Sequence, residues 1–217
     1  MATKPTSSTA EYIPDNPDLE DLREAAAVCK GCDLWKKGTQ TVFGEGPRRA
    51  DIMLVGEQPG DVEDEVGRPF VGPAGRILDR ALEKAGLDRD QTYVTNAVKH
   101  FRWEETRGKR RIHKKPSFRQ VSACLPWLEA EIAIVRPRVI IALGATAAQA
   151  ILGRSFRLTN HRGEILTSPY GPRVTATVHP SSILRAPSDE ERRLALRSFI
   201  HELSTVLTLL EPKHAAR

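Results

Sequence analysis

The stretch ADIMLV at residues 50–55, followed by GEQPG at 56–60, decides the fold class. A short apolar run that ends at a glycine-bounded turn is typical of a buried parallel strand. The same pattern recurs at residues 92–98, 139–143 and 174–178, and stretches with helical spacing of apolar residues lie between these runs. This alternation predicts the α/β class, as a three-layer α/β/α domain around a central, mostly parallel four-stranded sheet.

Length and composition are those of an ordinary globular protein. Of the 217 residues, 40% are hydrophobic and 28% are charged, which argues against wholesale disorder and against a fibrous class. We expect a single domain over residues 18–217 and a flexible tail over residues 1–17, which has no apolar core of a signal peptide. The longest apolar stretch, 139–152, is too short to span a bilayer, so we expect a cytoplasmic monomer without membrane contacts.

Positive charge is concentrated in one predicted loop, residues 99–116. The net charge is +5, and six of the nine residues from 107 to 115 are Lys or Arg, a local charge of the kind that nucleic-acid binding requires. The segment is either a solvated charged loop, a phosphate-binding loop, or the carrier of a nucleophilic histidine. In the last case the surrounding cations would keep His113 neutral and therefore nucleophilic.

Polar segments follow each of the four predicted strands. They are GEQPG (56–60), TNAVKH (95–100), GATA (144–147) and HPSS (179–182). Ligands of parallel sheets bind outside the carboxyl ends of the strands. We therefore expect these four segments to converge on one edge of the sheet.

Each candidate side chain at this edge has a structural and a functional interpretation. Glu57 either completes a tight turn or stabilises the positive charge that builds on a sugar when its bond to a base breaks. His179 either begins a helix or donates a hydrogen bond to the oxygen charge on a departing base. Asn96 either satisfies a turn or reads the polar edge of a base and separates uracil from cytosine. Phe70 is either a core residue or a stacking platform for an extruded base.

Three cysteines and a histidine form a possible set of metal ligands. Cys29 and Cys32 make a CxxC pair, and Cys124 and His100 lie further along the chain. Spacing alone favours a structural zinc site, while an iron-sulfur cluster is also compatible with cysteine ligands. Buried cysteines without any metal are the third interpretation, and it suits Cys124 better than the CxxC pair.

Five segments, in this order, resemble the uracil-DNA glycosylase superfamily, and most closely its UdgX branch: GEQPG, PFVGPAGRILD, TNAVKHF, KRRIH and HPSS. The resemblance extends from Cys29 to the last helix. It implies an enzyme that cleaves the N-glycosidic bond of uracil in DNA, preferably single-stranded, and releases free uracil. It further implies a single turnover, after which His113 stays covalently joined to C1′ of the abasic site.

The resemblance also implies roles for the pocket residues. Phe70 would stack on uracil and Asn96 would hydrogen-bond its polar edge. Gln58 would line the same pocket, with Asp61 as a further pocket residue. These roles define the expected substrate site.

The remaining roles concern catalysis and DNA. The resemblance implies that His179 stabilises the uracil anion, and that Glu57 orients His113 or takes its proton. The expected DNA contacts are Lys109, Arg110, Arg111 and Ser181. Arg110 and Arg111 would also hold the basic loop shut.

The resemblance changes the expected cofactor. In the related family 4 enzymes four cysteines hold a structural 4Fe-4S cluster, and UdgX-type proteins resemble them with His100 in place of one cysteine. The implied ligands are therefore Cys29, Cys32, His100 and Cys124, with zinc as the alternative. Two other functions remain open: a turnover glycosylase in which His113 only contacts phosphate, and a non-catalytic iron-sulfur protein that binds nucleic acid.

Overall fold

The computed structural model describes residues 9–106, 108 and 110–210. The strands in these residues are β1 (Ile52–Gly56), β2 (Thr92–Asn96), β3 (Trp103–Glu105), β4 (Arg111–His113), β5 (Val139–Leu143), β6 (Ile165–Thr167) and β7 (Arg173–Thr177). The α-helices are α1 (Leu19–Ala27), α2 (Asp61–Val66), α3 (Pro73–Ala85), α4 (Phe118–Val135), α5 (Ala145–Leu152), α6 (Leu158–His161), α7 (Pro180–Leu184), α8 (Asp189–Ser204) and α9 (Leu207–Leu210).

The central sheet has the strand order β2-β1-β5-β7-β6. The first four strands pair in parallel, and β6 pairs antiparallel with β7. The mostly parallel sheet is therefore confirmed, but it has five strands where the sequence predicts four. The fifth strand escapes prediction because it is only three residues long, and Ile165 and Thr167 are exposed.

Both faces of the sheet are buried, as a three-layer domain requires. Along β1, Ile52 and Leu54 pack into one hydrophobic cluster, whereas Met53 and Val55 pack into another on the opposite face, as the two-residue period of a strand dictates. Helices α3, α7 and α8 cover the first face, and α4 and α5 cover the second. The predicted α/β/α architecture is confirmed.

The basic loop is not irregular throughout. Strands β3 and β4 pair antiparallel, with Trp103 opposite His113 and Glu105 opposite Arg111. We call these two strands and the chain between them the basic hairpin. The predicted loop over 99–116 thus contains a two-stranded ribbon, and this ribbon fixes the direction of His113.

Part of the predicted tail is docked on the domain. Thr9 is buried, and its backbone N–H and side-chain hydroxyl both donate to the carbonyl of Ala123 at 3.0 and 2.9 Å. Tyr12 and Ile13 pack against the cluster around α1. Residues 9–13 are therefore held by α4, unlike the flexible tail that their polar sequence predicts. Within the described residues no helix has the length and apolarity to cross a membrane.

Candidate active site

The four polar segments meet at the carboxyl edge of the sheet, as predicted. The Thr146 hydroxyl from the GATA segment donates to Oε2 of Glu57. The rings of Phe70 and His179 lie 5.9 Å apart between centroids, and Asn96 is paired with Gly56 across β2 and β1. We call the side chains of Glu57, Phe70, Asn96 and His179 the edge site.

The side chains of Asn96 and Phe70 both pack against Gly56. A Cβ atom on Gly56 would lie 2.2 Å from Oδ1 of Asn96 and 2.6 Å from Cζ of Phe70, so only glycine fits there. The side-chain Oδ1 of Asn96 is buried and has no hydrogen-bond partner among the described residues. Because buried polar groups are nearly always paired, this atom points to a ligand donor that completes the site.

The backbone of Phe70 is also held in an unusual conformation. Its φ angle is 57°, in the left-handed region that costs a non-glycine residue on the order of 1–3 kcal/mol. A Cβ on Gly75 would lie 1.7 Å from the carbonyl oxygen of Phe70, so α3 packs directly onto this backbone. The carboxylate of Glu63 accepts from the N–H groups of Gly60 at 3.2 Å and Gly72 at 2.7 Å. Glu63 is a residue that the sequence does not single out, and it joins the two loops of the edge site.

His179 begins helix α7, which is the structural role that the sequence leaves open. As N-cap of α7, its Nδ1 accepts from the N–H of Ser181 at 3.2 Å, which places the ring proton on Nε2. Burial, together with the charges of His113 and Arg185, lowers the pKa of His179 to about 4. A neutral imidazole with a free Nε2–H can therefore donate within the edge site. The Ser181 hydroxyl lies 2.8 Å from the same Nδ1, so Ser181 contacts His179 directly.

Gln58 holds the basic hairpin against the sheet edge. Its Oε1 accepts from the N–H of Arg102 at 3.1 Å, and its Nε2 lies 3.1 Å from the carbonyl of Lys114. The same Nε2 lies 2.9 Å from Nε2 of His113. The side chain of Gln58 is thus bound to the hairpin, whereas the sequence predicts it as pocket lining.

Arg111 is the second anchor of the hairpin. Its guanidinium lies 2.5 Å from Asp61, 2.6 Å from Asp64 and 3.1 Å from Glu65. Asp61 is therefore an ion-pair partner of Arg111, and its place in the substrate pocket stays a prediction. The three carboxylates around Arg111 support its predicted role in holding the loop. Its predicted contact with phosphate has no comparable support. Arg110 is exposed, and Lys109 lies outside the described residues.

His113 faces the edge site from the end of β4. Its Nε2 lies 3.7 Å from Oε1 of Glu57, and its side chain is 50% exposed. Burial lowers the pKa of His113, Glu57 opposes this shift, and Arg185 adds to it. The sequence attributes a neutral His113 to neighbouring cations of the loop, but partial burial is the largest cause.

The three cysteines lie in one region and are not joined by disulfides. Cys29, Cys32 and Cys124 belong to the hydrophobic cluster between α1 and α4. Burial raises the pKa of Cys124 to about 12, against the opposing effect of Lys99. Burial lowers the pKa of His100 to about 4, which keeps this imidazole neutral. No group of three or more His, Cys, Asp or Glu side chains in the described chain is arranged to hold a metal ion.

Known proteins share this sequence pattern. The family model of the Uracil DNA glycosylase superfamily matches residues 43–204. A Type-4 uracil-DNA glycosylase of Pyrobaculum aerophilum is 37% identical over 178 residues, covering 79% of this chain and 87% of the relative. One of Thermotoga maritima is 37% identical over 179 residues, covering 82% and 89%. A Type-5 enzyme of Pyrobaculum aerophilum is 31% identical over 185 residues, covering 77% of each. The chain therefore belongs to the uracil DNA glycosylase superfamily.

Proposed function

We propose that this protein is a uracil-DNA glycosylase that cleaves the N-glycosidic bond of uracil in DNA, preferably single-stranded, and then stays joined to C1′ through His113. The first half draws support from relatives that are named uracil-DNA glycosylases. The second half draws support from the position of His113 beside the edge site. The UdgX branch is part of the same proposal.

One observation carries the glycosylase function: the buried, unpartnered Oδ1 of Asn96. An unpaired buried acceptor costs about 1–3 kcal/mol, and the N3–H of uracil is a donor of the right polarity. The amide Nδ2 of Asn96 can at the same time donate to O4 of uracil. Cytosine presents an acceptor at N3 and a donor at C4, so both hydrogen bonds would be reversed.

Phe70 supplies the stacking surface for the extruded base. Its ring lies directly beside Asn96 over Gly56. Stacking on an aromatic ring contributes about 1–3 kcal/mol per base, which offsets part of the few kcal/mol needed to unstack it. The fixed backbone of Phe70 makes this platform rigid before DNA binds.

His179 and Glu57 act on the two fragments of the breaking bond. As the N1–C1′ bond breaks, its electron pair leaves with the base, and charge collects on O2 of uracil. The Nε2–H of His179 donates to that oxygen, which stabilises the anion without transferring a full proton. The carboxylate of Glu57 stabilises the positive charge that remains on the sugar at C1′.

His113 then adds to the sugar. Its neutral ring has a nitrogen lone pair that forms the N–C1′ bond, and the proton on the other ring nitrogen leaves to solvent. The uracil anion takes a proton from solvent, so the step is balanced as free uracil plus an imidazole-linked sugar. Nε2 of His113 lies 3.7 Å from Oε1 of Glu57, which supports a role of Glu57 in orienting the ring.

Cys29, Cys32, Cys124 and His100 are the residues that we propose as ligands of a 4Fe-4S cluster. Three sulfur donors without disulfides and a neutral imidazole fit a cluster, whose ligands bond to separate iron atoms. Zinc, which would need all four side chains on one ion, is the alternative. A bound cluster would supply structural cross-linking of the N-terminal segment, β2 and α4.

Contacts with DNA beyond the site are assigned to the hairpin and to α7. We propose that Lys109 and Arg110 contact phosphates and that Ser181 contacts DNA from the start of α7. We further propose that the protein acts as a monomer. Arg111 retains its role of holding the hairpin.

The deciding experiment uses a short single-stranded DNA with one labelled uracil. We expect free uracil and, in equal amount, a slower protein-DNA band that resists denaturation. Repeated release of uracil without such a band would exclude the covalent step and leave a turnover glycosylase. No release of uracil, with salt-sensitive DNA binding retained, would leave a non-catalytic nucleic-acid-binding protein.

A further inference from the structure

A second polar cluster lies behind the edge site, and it is almost completely buried. Lys99 and Glu131 form an ion pair with 2.5 Å between Nζ and Oε2, and their side chains are 1% and 0% exposed. Removing two charges from water is costly, and such a pair often contributes nothing net to stability. A buried pair in this position therefore calls for another role.

Every polar atom of the pair is engaged. The three donors of the Lys99 ammonium reach the hydroxyl of Thr95 at 2.6 Å, the backbone carbonyl of Asn96 at 2.9 Å, and Glu131. The carboxylate of Glu131 also accepts from the N–H of Gly44 at 3.1 Å and from the hydroxyl of Tyr93 at 3.0 Å. A fully paired network of this kind fixes one local geometry.

The network contacts Asn96 through its main chain. The main-chain carbonyl of Asn96 is bound by Lys99, while its side-chain Oδ1 is buried without a partner among the described residues. Asn96 is the last residue of β2, so its own strand pairing ends there. The ammonium of Lys99 is thus a polar anchor for the backbone of Asn96 beyond the sheet.

We propose that the Lys99–Glu131 pair is a positioning device that aims the Asn96 amide at the base. This inference rests on the proposed glycosylase function but not on the covalent step. Neither side chain touches the substrate, and both act through the backbone of Asn96. Sites of this type need their side chains placed within about 0.5 Å.

The test removes both charges while keeping the acceptors. In Lys99→Met combined with Glu131→Gln, the new amide carbonyl at position 131 still accepts from Gly44 and Tyr93, but the carbonyl of Asn96 loses its ammonium donor. We expect a folded protein whose single-turnover excision of uracil is slower by about 10- to 100-fold, the range for a small misplacement. DNA affinity, measured with uracil-free DNA, should stay unchanged.

A double-mutant cycle separates positioning from general damage. In the background of Asn96→Ala the same double substitution should change the rate by less than about twofold, because the residue through which it acts is gone. An equal loss in both backgrounds, or no loss with Asn96 present, would overturn the proposal. If the double variant does not fold, Lys99→Met alone replaces it in the same cycle, because it also removes the ammonium donor to the carbonyl of Asn96.

Tyr93→Phe is the matched control. It removes one donor to Glu131 but leaves the contact between Lys99 and Asn96, so excision should stay within about twofold of the parent rate. A loss as large as that of the double variant would assign the effect to the network as a whole and contradict the proposal. Absence of uracil release from the unaltered protein would instead disprove the proposed function.

Discussion

The edge site and the basic hairpin are held in place by different forces. The edge site is fixed by close packing, since a single added methyl on Gly56 would overlap both Asn96 and Phe70. The hairpin is fixed by polar contacts, chiefly the ion pairs of Arg111 and the hydrogen bonds of Gln58. One region is part of the core, and the other is attached to it.

This difference separates two stages of the proposed reaction. In this reaction, recognition and excision of uracil depend on the packed edge site. Retention of the DNA depends on the attached hairpin, because it carries His113. Substitutions in the hairpin should therefore reduce retention of the DNA while excision of uracil continues.

The largest effect is expected for His113→Ser. The covalent band should disappear entirely, because no nucleophilic nitrogen remains near C1′, while excision continues at the edge site. Multiple uracils released per protein would show the change to turnover. His161→Ser removes an exposed histidine that pairs with Glu164 at 2.9 Å, and it should keep the full band. A persistent band in the His113 variant would assign the bond to another residue.

Gly56→Ala should affect both stages together. Its Cβ would lie 2.2 Å from Oδ1 of Asn96, so the amide must move, and excision should fall by about 100-fold or more. Covalent linkage should fall in parallel, because it needs the cation that excision creates. Gly108→Ala adds a methyl with no described atom within 4 Å and serves as the control. Covalent linkage that persists in Gly56→Ala when excision is lost would contradict the proposed order of steps.

The parts of the fold that can be predicted are those with a local signal. A strand buried on both faces leaves a continuous apolar run, and β1 and β5 are recognised in this way. Convergence of the polar segments follows from the parallel sheet alone. The edge strand β6 is not recognised because half-exposed strands of three residues leave no pattern.

The parts that could not be predicted depend on side chains distant in sequence. Arg111 binds Asp64 from 47 positions away, and Thr146 binds Glu57 from 89 positions away. The acidic run at 61–65 opposite a basic segment is a usable signal for the first contact. Nothing in the local sequence distinguishes Thr146 from an ordinary residue at a helix start.

Arg111→Gln should weaken the hairpin without disturbing the edge site. Its three carboxylate contacts are lost, so His113 is less often in place, and the ratio of linked DNA to released uracil should fall by about 10-fold. Excision itself should change by less than about threefold. Lys114→Gln breaks only an exposed pair with Glu104 at 3.0 Å, which solvent screens, and should leave the ratio unchanged. Equal losses of excision and linkage would show that the hairpin and the edge site are one unit.

The smallest effect concerns pH. Burial lowers the pKa of His113 below the ordinary 6.5 and that of His179 to about 4. Both rings must be neutral to act, and a lowered pKa keeps them neutral to more acidic pH, so linkage should decline only below pH 6.5. The pH at which the rate of linkage is half-maximal should therefore lie below 6.5. The same pH series for excision by His113→Ser isolates the contribution of His113, because the acid limb of excision should then lie at lower pH. A half-maximal rate of linkage at pH 6.5 would mean that the hairpin leaves His113 in solvent.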